Sequence, residues 1–172
     1  MQQYLRQREQ RRIEQLPKFR SPCSICLQPE RTCYCLHVQS FDPKIRFIIL
    51  IHRLEVRRRI ATGRMSHLCL KNSQLIMGYD YTHDERVNAI LQNPNYYPII
   101  LYPGRNSTNL SELVIEERAT LFPKDKEIVV FVLDGTWSTA GKTLRRSKNL
   151  QNLPRICFNP SHPSRFYVRK QP

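Results

Sequence analysis

Four cysteines lie close together near the start of the chain, as Cys23-x-x-Cys26 and then Cys33-x-Cys35. Four thiolates at this spacing can close a tetrahedral site, and an all-sulfur set suits zinc or an iron–sulfur centre. Zinc is the expected ion, with Pro22, Pro29 and the short spacings supplying the turns. A site whose four positions are all filled by protein is closed, so its role is structural. His37 is close enough to be an alternative ligand. Cys69 and Cys157 lie in apolar contexts and are expected in the core.

A second reactive constellation ends an apolar run. Val129–Leu133 can hardly be anything but a buried strand, and it stops at Asp134-Gly135-Thr136-Trp137, which holds the only tryptophan. Gly135 and Gly141-Lys142-Thr143 suggest a phosphate loop, but five residues separate the first glycine from the GK[ST] element, where four are needed. Trp137 is also too bulky for such a loop, and no acidic residue follows Asp134 to hold magnesium. The nucleoside-triphosphatase reading is therefore disfavoured. No GxG pair occurs, so a glycine-rich dinucleotide loop is missing too.

These groups must be positioned by an alternating α and β pattern. Strands are expected at Arg46–Ile51, Gln74–Met77, Tyr97–Tyr102, Ile128–Leu133 and Arg155–Phe158. Helical segments are expected at Gln2–Leu16, Val56–Arg64, His83–Gln92 (with Thr82 as its N-cap) and after Trp137 to about Ser147. Near-continuous apolar runs between helices argue a mostly parallel sheet covered on both faces. Three strand ends carry reactive groups: His52-Arg53 with Glu55, Tyr102-Pro103-Gly104, and Asp134 to Trp137. In such sheets ligands sit beyond the carboxyl ends of the strands.

The chain has 172 residues, with 28 Lys and Arg against 14 Asp and Glu, for a formal net charge of +14. That imbalance predicts a polyanionic partner, nucleic acid above all. No stretch approaches the roughly 18 apolar residues of a membrane span, and the N-terminus lacks the apolar core of a signal peptide. The expected location is cytoplasmic, where six cysteines would stay reduced. No obligate protein partner is indicated.

Taken in order, Cys23-x-x-Cys26…Cys33-x-Cys35, His52-Arg53-Leu54-Glu55, Thr62-Gly63-Arg64, Leu101-Tyr102-Pro103, Asp134-Gly135-Thr136-Trp137 and Pro163-Ser164-Arg165…Arg169-Lys170-Gln171-Pro172 resemble the DTW-domain family of tRNA-uridine aminocarboxypropyltransferases. The resemblance implies a SPOUT-like α/β fold that binds S-adenosylmethionine at a knotted sheet edge. It also implies transfer of the 3-amino-3-carboxypropyl group to N3 of a tRNA uridine, leaving methylthioadenosine. The domains expected are a basic helical lead-in over 1–21, a four-cysteine zinc knuckle over 22–38 and a catalytic domain over 39–172. Family members usually continue past this last stretch with a further helix, so the C-terminal end is expected to be short or truncated.

By the same resemblance, Leu101, Tyr102, Pro103, Gly104, Leu133, Asp134, Gly135, Thr136, Trp137 and Ser164 would hold the co-substrate. Trp137 would offer its face to the adenine, the sulfonium or the target base. Asp134 is the candidate acceptor of the N3 proton, although its basic neighbourhood would weaken it as a base. It could instead orient the amino group of the co-substrate, or cap the helix that follows. Glu55 is a second carboxylate, for ion pairing or positioning. The RNA face would comprise Arg57, Arg58, Arg59, Arg64, Arg145, Arg146, Arg165, Arg169 and Lys170. Two other readings compete: a SPOUT-type RNA methyltransferase, and a non-catalytic zinc-containing RNA-binding module.

Overall fold

Apolar runs too short for helices and too continuous for a half-exposed sheet become the central strands. In the computed structural model, which describes residues 22–56 and 61–162, Arg46–His52 forms β1 and Glu127–Asp134 forms β5. These two run side by side in parallel, with Ile51 opposite Asp134. β2 (Ser73–Gly78) flanks β1, and β3 (Tyr96–Leu101) flanks β5. β6 (Arg155–Cys157) and β4 (Ser107–Asn109) complete a parallel sheet in the order β2-β1-β5-β3-β6-β4.

Because successive strand residues point to opposite faces, the central strands feed two cores. Ile48, Leu50, Ile100, Val129 and Phe131 point to one face. There they meet Val87 and Ile90 of α3 (Glu85–Leu91) and Leu144 of α5 (Trp137–Arg146). Ile99, Val130 and Ile156 point to the other, backed by Phe47, Val132 and Phe122. α2 (Thr62–Cys69) also lies on this second face, where its Gly63 and Ser66 share a cleft with Phe47 and Ile49. Each large apolar side chain so buried contributes about 1.5–3 kcal/mol. The expected parallel sheet with helices on both faces is present.

Two local expectations are corrected. The helical region placed over Val56–Arg64 is broken at Ala61, which is extended, so that α2 starts at Thr62; α1 (Arg53–Val56) precedes residues outside those described. α3 starts at Glu85 and not near Thr82, because the Asp84 carboxylate accepts from the N–H groups of Arg86 (3.1 Å) and Val87 (3.3 Å). Thr82 is occupied elsewhere: its hydroxyl donates to Asp80 at 2.7 Å and accepts from the Lys148 N–H at 3.1 Å. β4 and α4 (Ile115–Thr120) were not expected at all. The lead-in over 1–21 lies outside the described residues.

The chain divides into two compact units between Val38 and Gln39. The sheet makes up the second. Among the described residues of the first, an antiparallel bridge pairs Pro22 with Pro29, and two short 3-10 turns cover Glu30–Thr32 and Cys35–His37. No helix among the described residues is long and apolar enough to cross a membrane.

Candidate active site and metal centre

In the first unit a tight turn folds the cysteines together. The Cys23 N–H donates to the Gln28 carbonyl, and the Leu27 N–H donates back to the Cys23 carbonyl, both at 2.8 Å. Leu27 closes the turn with φ of 58°, a left-handed conformation rare for a leucine. The four sulfurs of Cys23, Cys26, Cys33 and Cys35 all lie within 4.8 Å of one another. Cys23 and Cys35 are 3.8 Å apart, and Cys26 and Cys33 are 3.6 Å apart. Thiolates bound at ~2.3 Å to one tetrahedral ion would stand ~3.8 Å apart, which the Cys23–Cys35 and Cys26–Cys33 spacings match.

The thiol chemistry agrees with that fit. Backbone N–H groups of Cys26 and Ile25 pull Cys23 down to about 6, whereas burial and the sulfurs of Cys26, Cys33 and Cys23 push Cys35 up to about 12. A cation at the centre would remove the mutual repulsion that holds the last protons on. The cluster can therefore hold a metal ion.

In the second unit the carboxyl ends of the parallel strands share one edge, and a cleft of about 310 Å³ opens there. Leu101, Tyr102 and Pro103 enter it from the end of β3. Leu133, Gly135, Trp137 and Ala140 come from β5 and the start of α5, and Cys157 and Phe158 from β6. Thr136 shapes the turn: it is the N-cap of α5, its hydroxyl accepting from the Thr139 N–H at 3.2 Å. The Trp137 indole is 59% exposed and meets Tyr102 edge-on, with ring centres 6.3 Å apart. Tyr102 reaches over α5 so closely that a β-carbon on Gly141 would lie 3.2 Å from its hydroxyl.

Asp134 does not share that cleft. Its carboxylate turns to the other side of β5, into a second cleft of about 280 Å³ bounded by Thr62, Gly63 and Ser66 of α2. There Oδ1 accepts from the Thr62 hydroxyl at 2.9 Å and Oδ2 from the Gly63 N–H at 3.2 Å. The carboxylate thus ties the end of β5 to the first turn of α2, where backbone N–H groups lack helical partners. The expectation that Asp134 might cap the helix after it is corrected: Thr136 does that, and Asp134 binds the start of a different helix. Gly63 is required by this contact, since a β-carbon there would come within 2.6 Å of Oδ2. Gly63→Ala should therefore push Asp134 or α2 aside and cost about 1–3 kcal/mol, read as a lowered midpoint in thermal unfolding. An unchanged midpoint would disprove the tie.

The other expected residues fall in varied places. Glu55 is buried in α1, 4% exposed. Gly104 turns the chain after β3, with its N–H donating to Ser107 Oγ at 3.0 Å, and does not line the cleft. Arg64, expected on the RNA face, is buried, and its Nη2 donates to the Val56 carbonyl at 2.7 Å. Arg145 and Arg146 are exposed. Arg57, Arg58, Arg59, Ser164, Arg165, Arg169 and Lys170 lie outside the described residues. Cys157, expected in the core, is only half-buried and faces the first cleft, as do Ala140 and Phe158, which the sequence did not single out. Cys69 is half-buried as well.

The comparisons agree with one another. The family model of the DTW domain matches residues 20–172. A protein of Mus musculus named tRNA-uridine aminocarboxypropyltransferase 2 is 27% identical over 158 residues, which is 89% of this chain and 51% of that one. Its namesake from Macaca fascicularis is 23% identical over 171 residues, 94% of this chain and 55% of the other. The chain spans about half the length of the curated relatives it matches. No solved structure matches.

Proposed function

The chain belongs to the DTW-domain family, and on that premise we propose that it is a tRNA-uridine aminocarboxypropyltransferase. Its reaction would join the 3-amino-3-carboxypropyl group of S-adenosylmethionine to N3 of a tRNA uridine in a SPOUT-like site and release methylthioadenosine. When bound, the co-substrate supplies a sulfonium whose attached carbons are all open to attack. The choice of carbon is then a matter of positioning, which is what the protein contributes.

One observation carries this reading. The Leu101–Pro103 turn and the Gly135–Trp137 turn build one cleft at the carboxyl edge of a parallel sheet, and Asp134 is held at the same strand end. The apolar walls suit a nucleoside and its thioether, and the indole offers a stacking face. Trp137, Tyr102 and Phe158 would seat the adenosine portion. Asp134 would act from the opposite side of β5, taking the N3 proton or orienting the amino group of the tail. Glu55, being buried, would support this edge from within rather than touch substrate. The four cysteines would hold one structural zinc. Arg145 and Arg146 would meet tRNA, and the work would take place in the cytoplasm.

Mass spectrometry of nucleosides from unmodified tRNA incubated with the protein and S-adenosylmethionine tests the reaction. Aminocarboxypropyl-uridine is the expected product. Methyluridine would point to a methyltransferase, and failure to bind the co-substrate would point to a non-catalytic RNA-binding module. Trp137→Ala should weaken co-substrate or base binding about tenfold, the loss of one stacked aromatic. Its thermal midpoint should barely move, because the indole is largely exposed. Titration calorimetry alongside unfolding checks both.

A further inference from the structure

Three elements distant in sequence converge on one exposed tyrosine. Arg53 follows the end of β1, Tyr79 follows the end of β2, and Arg146 is the last residue of α5. The Cζ of Arg53 stands 4.6 Å from the centre of the Tyr79 ring, and that of Arg146 stands 5.2 Å away. All three side chains face solvent. Among the described residues neither arginine forms an ion pair. Asp80, beside Tyr79, accepts from the N–H and hydroxyl of Thr82, and the charge of Arg146 also favours its carboxylate, although the two do not form a direct ion pair.

Such an arrangement gains little as a structural clamp, since cation–π contacts at exposed sites are weak. Its effect is to order two planar guanidinium groups while their N–H donors stay free. The backbone beneath is fixed as well. The Thr82 hydroxyl oxygen accepts from the Lys148 N–H at 3.1 Å, and the Tyr81 N–H donates to Ser147 Oγ at 3.0 Å. Ordered, unpaired guanidinium groups match a phosphodiester in charge and geometry, and their ordering entropy is already spent.

The position relative to the cleft adds to the argument. α5 begins with Trp137 at the cleft and ends with Arg146 at this cluster, ~14 Å apart along the helix. Lys142 and Arg145 are exposed along the same helix. A strand whose reacting base meets the co-substrate at this carboxyl edge would bring phosphates a few nucleotides away to the far end of α5. We propose that Arg53 and Arg146, ordered by the ring of Tyr79, form a phosphodiester-binding subsite for the RNA strand flanking the reacting uridine. The proposal rests on the RNA-modifying reading above and adds Arg53 and Tyr79 to the surface that reading implies.

The test is the affinity for an unmodified tRNA transcript, measured by fluorescence anisotropy over a salt series. Arg53→Gln and Arg146→Gln should each weaken binding about tenfold and lower the slope of log affinity against log salt by about one. Tyr79→Leu should weaken binding with a smaller change of slope, since it disorders charges without removing them. Lys124→Gln removes one charge at the opposite, amino edge of the sheet and should bind as wild type. Co-substrate affinity should be unchanged in all four, and turnover should show a raised KM for tRNA with kcat retained. Arginine variants that bind tRNA like wild type, with or without a lowered melting temperature, would overturn the subsite and leave the reaction standing. A wild-type protein that binds no tRNA would overturn the RNA reading and the subsite with it.

Discussion

Cys33→Ser should release the metal ion and leave the segment from Pro22 to Val38 without a fixed fold. Two of the sulfur pairs already stand near the spacing a tetrahedral ion needs and all four sulfurs lie within 4.8 Å of one another, and a serine hydroxyl cannot replace a thiolate as the fourth ligand at neutral pH. Regular structure in the segment is sparse among the described residues. Its backbone pairing is one isolated bridge and two 3-10 turns, and Cys26 and Gln28 are its buried side chains among those described. So few residues cannot bury enough apolar surface to fold alone. Metal binding in small thiolate modules releases about 10–16 kcal/mol, and that energy is the folding energy. Elemental analysis should find one zinc per wild-type chain and none in the variant, and limited proteolysis should open the variant within 22–38. Wild-type protein purified without chelator that carries neither zinc nor iron, yet resists protease there, would refute the assignment.

Much of the sheet could be read directly because its central strands are doubly buried. Phe47–Ile51 and Ile128–Leu133 must be apolar at nearly every position, and no other element of that length has this pattern. β4 could not be read: Ser107-Thr108-Asn109 is polar throughout and becomes a strand only because β6 offers it partners. The N-cap of α3 was misplaced for a similar reason. Thr82 and Asp84 are both good caps, and the choice was settled by the contact Thr82 makes with Lys148, distant in sequence.

At the site, the motif Asp134-Gly135-Thr136-Trp137 reads as one unit, yet its acid and its indole occupy different clefts. Strand alternation sends Asp134 to the face of α2, and the turn that follows carries Trp137 to the other. Arg64 looked like part of the Arg57–Arg59 basic run, but the geometry of α2 turns it inward to a backbone carbonyl. The Thr62-Gly63 pair acquires its meaning only when β5 is set beside it. Nothing local shows that a glycine there makes room for a carboxylate from 71 residues away.

That contact sharpens the last prediction. Asp134→Asn should lower single-turnover modification of tRNA by on the order of a hundredfold or more, the usual consequence of losing a positioned acid–base group. The fold should tolerate the change. The asparagine oxygen can keep the Gly63 N–H, and its amide can donate to the Thr62 hydroxyl, which rotates to accept. Both ties between β5 and α2 survive, so the thermal midpoint should fall only slightly, by about 1 kcal/mol of stability or less. What disappears is the negative charge, and with it the ability to take the N3 proton or to hold the ammonium of the co-substrate tail. These two roles separate by binding. A carboxylate that orients the tail makes co-substrate affinity fall along with rate, whereas one that accepts the proton leaves affinity intact and makes the residual rate rise with pH as N3 ionises unaided. Asp134→Ala is the structural control: it removes both ties, leaves the Gly63 N–H unpartnered, and should lower stability by about 1.5–3 kcal/mol as well as rate. An asparagine variant with full activity would mean that Asp134 only fastens β5 to α2, and that the proton leaves by another route.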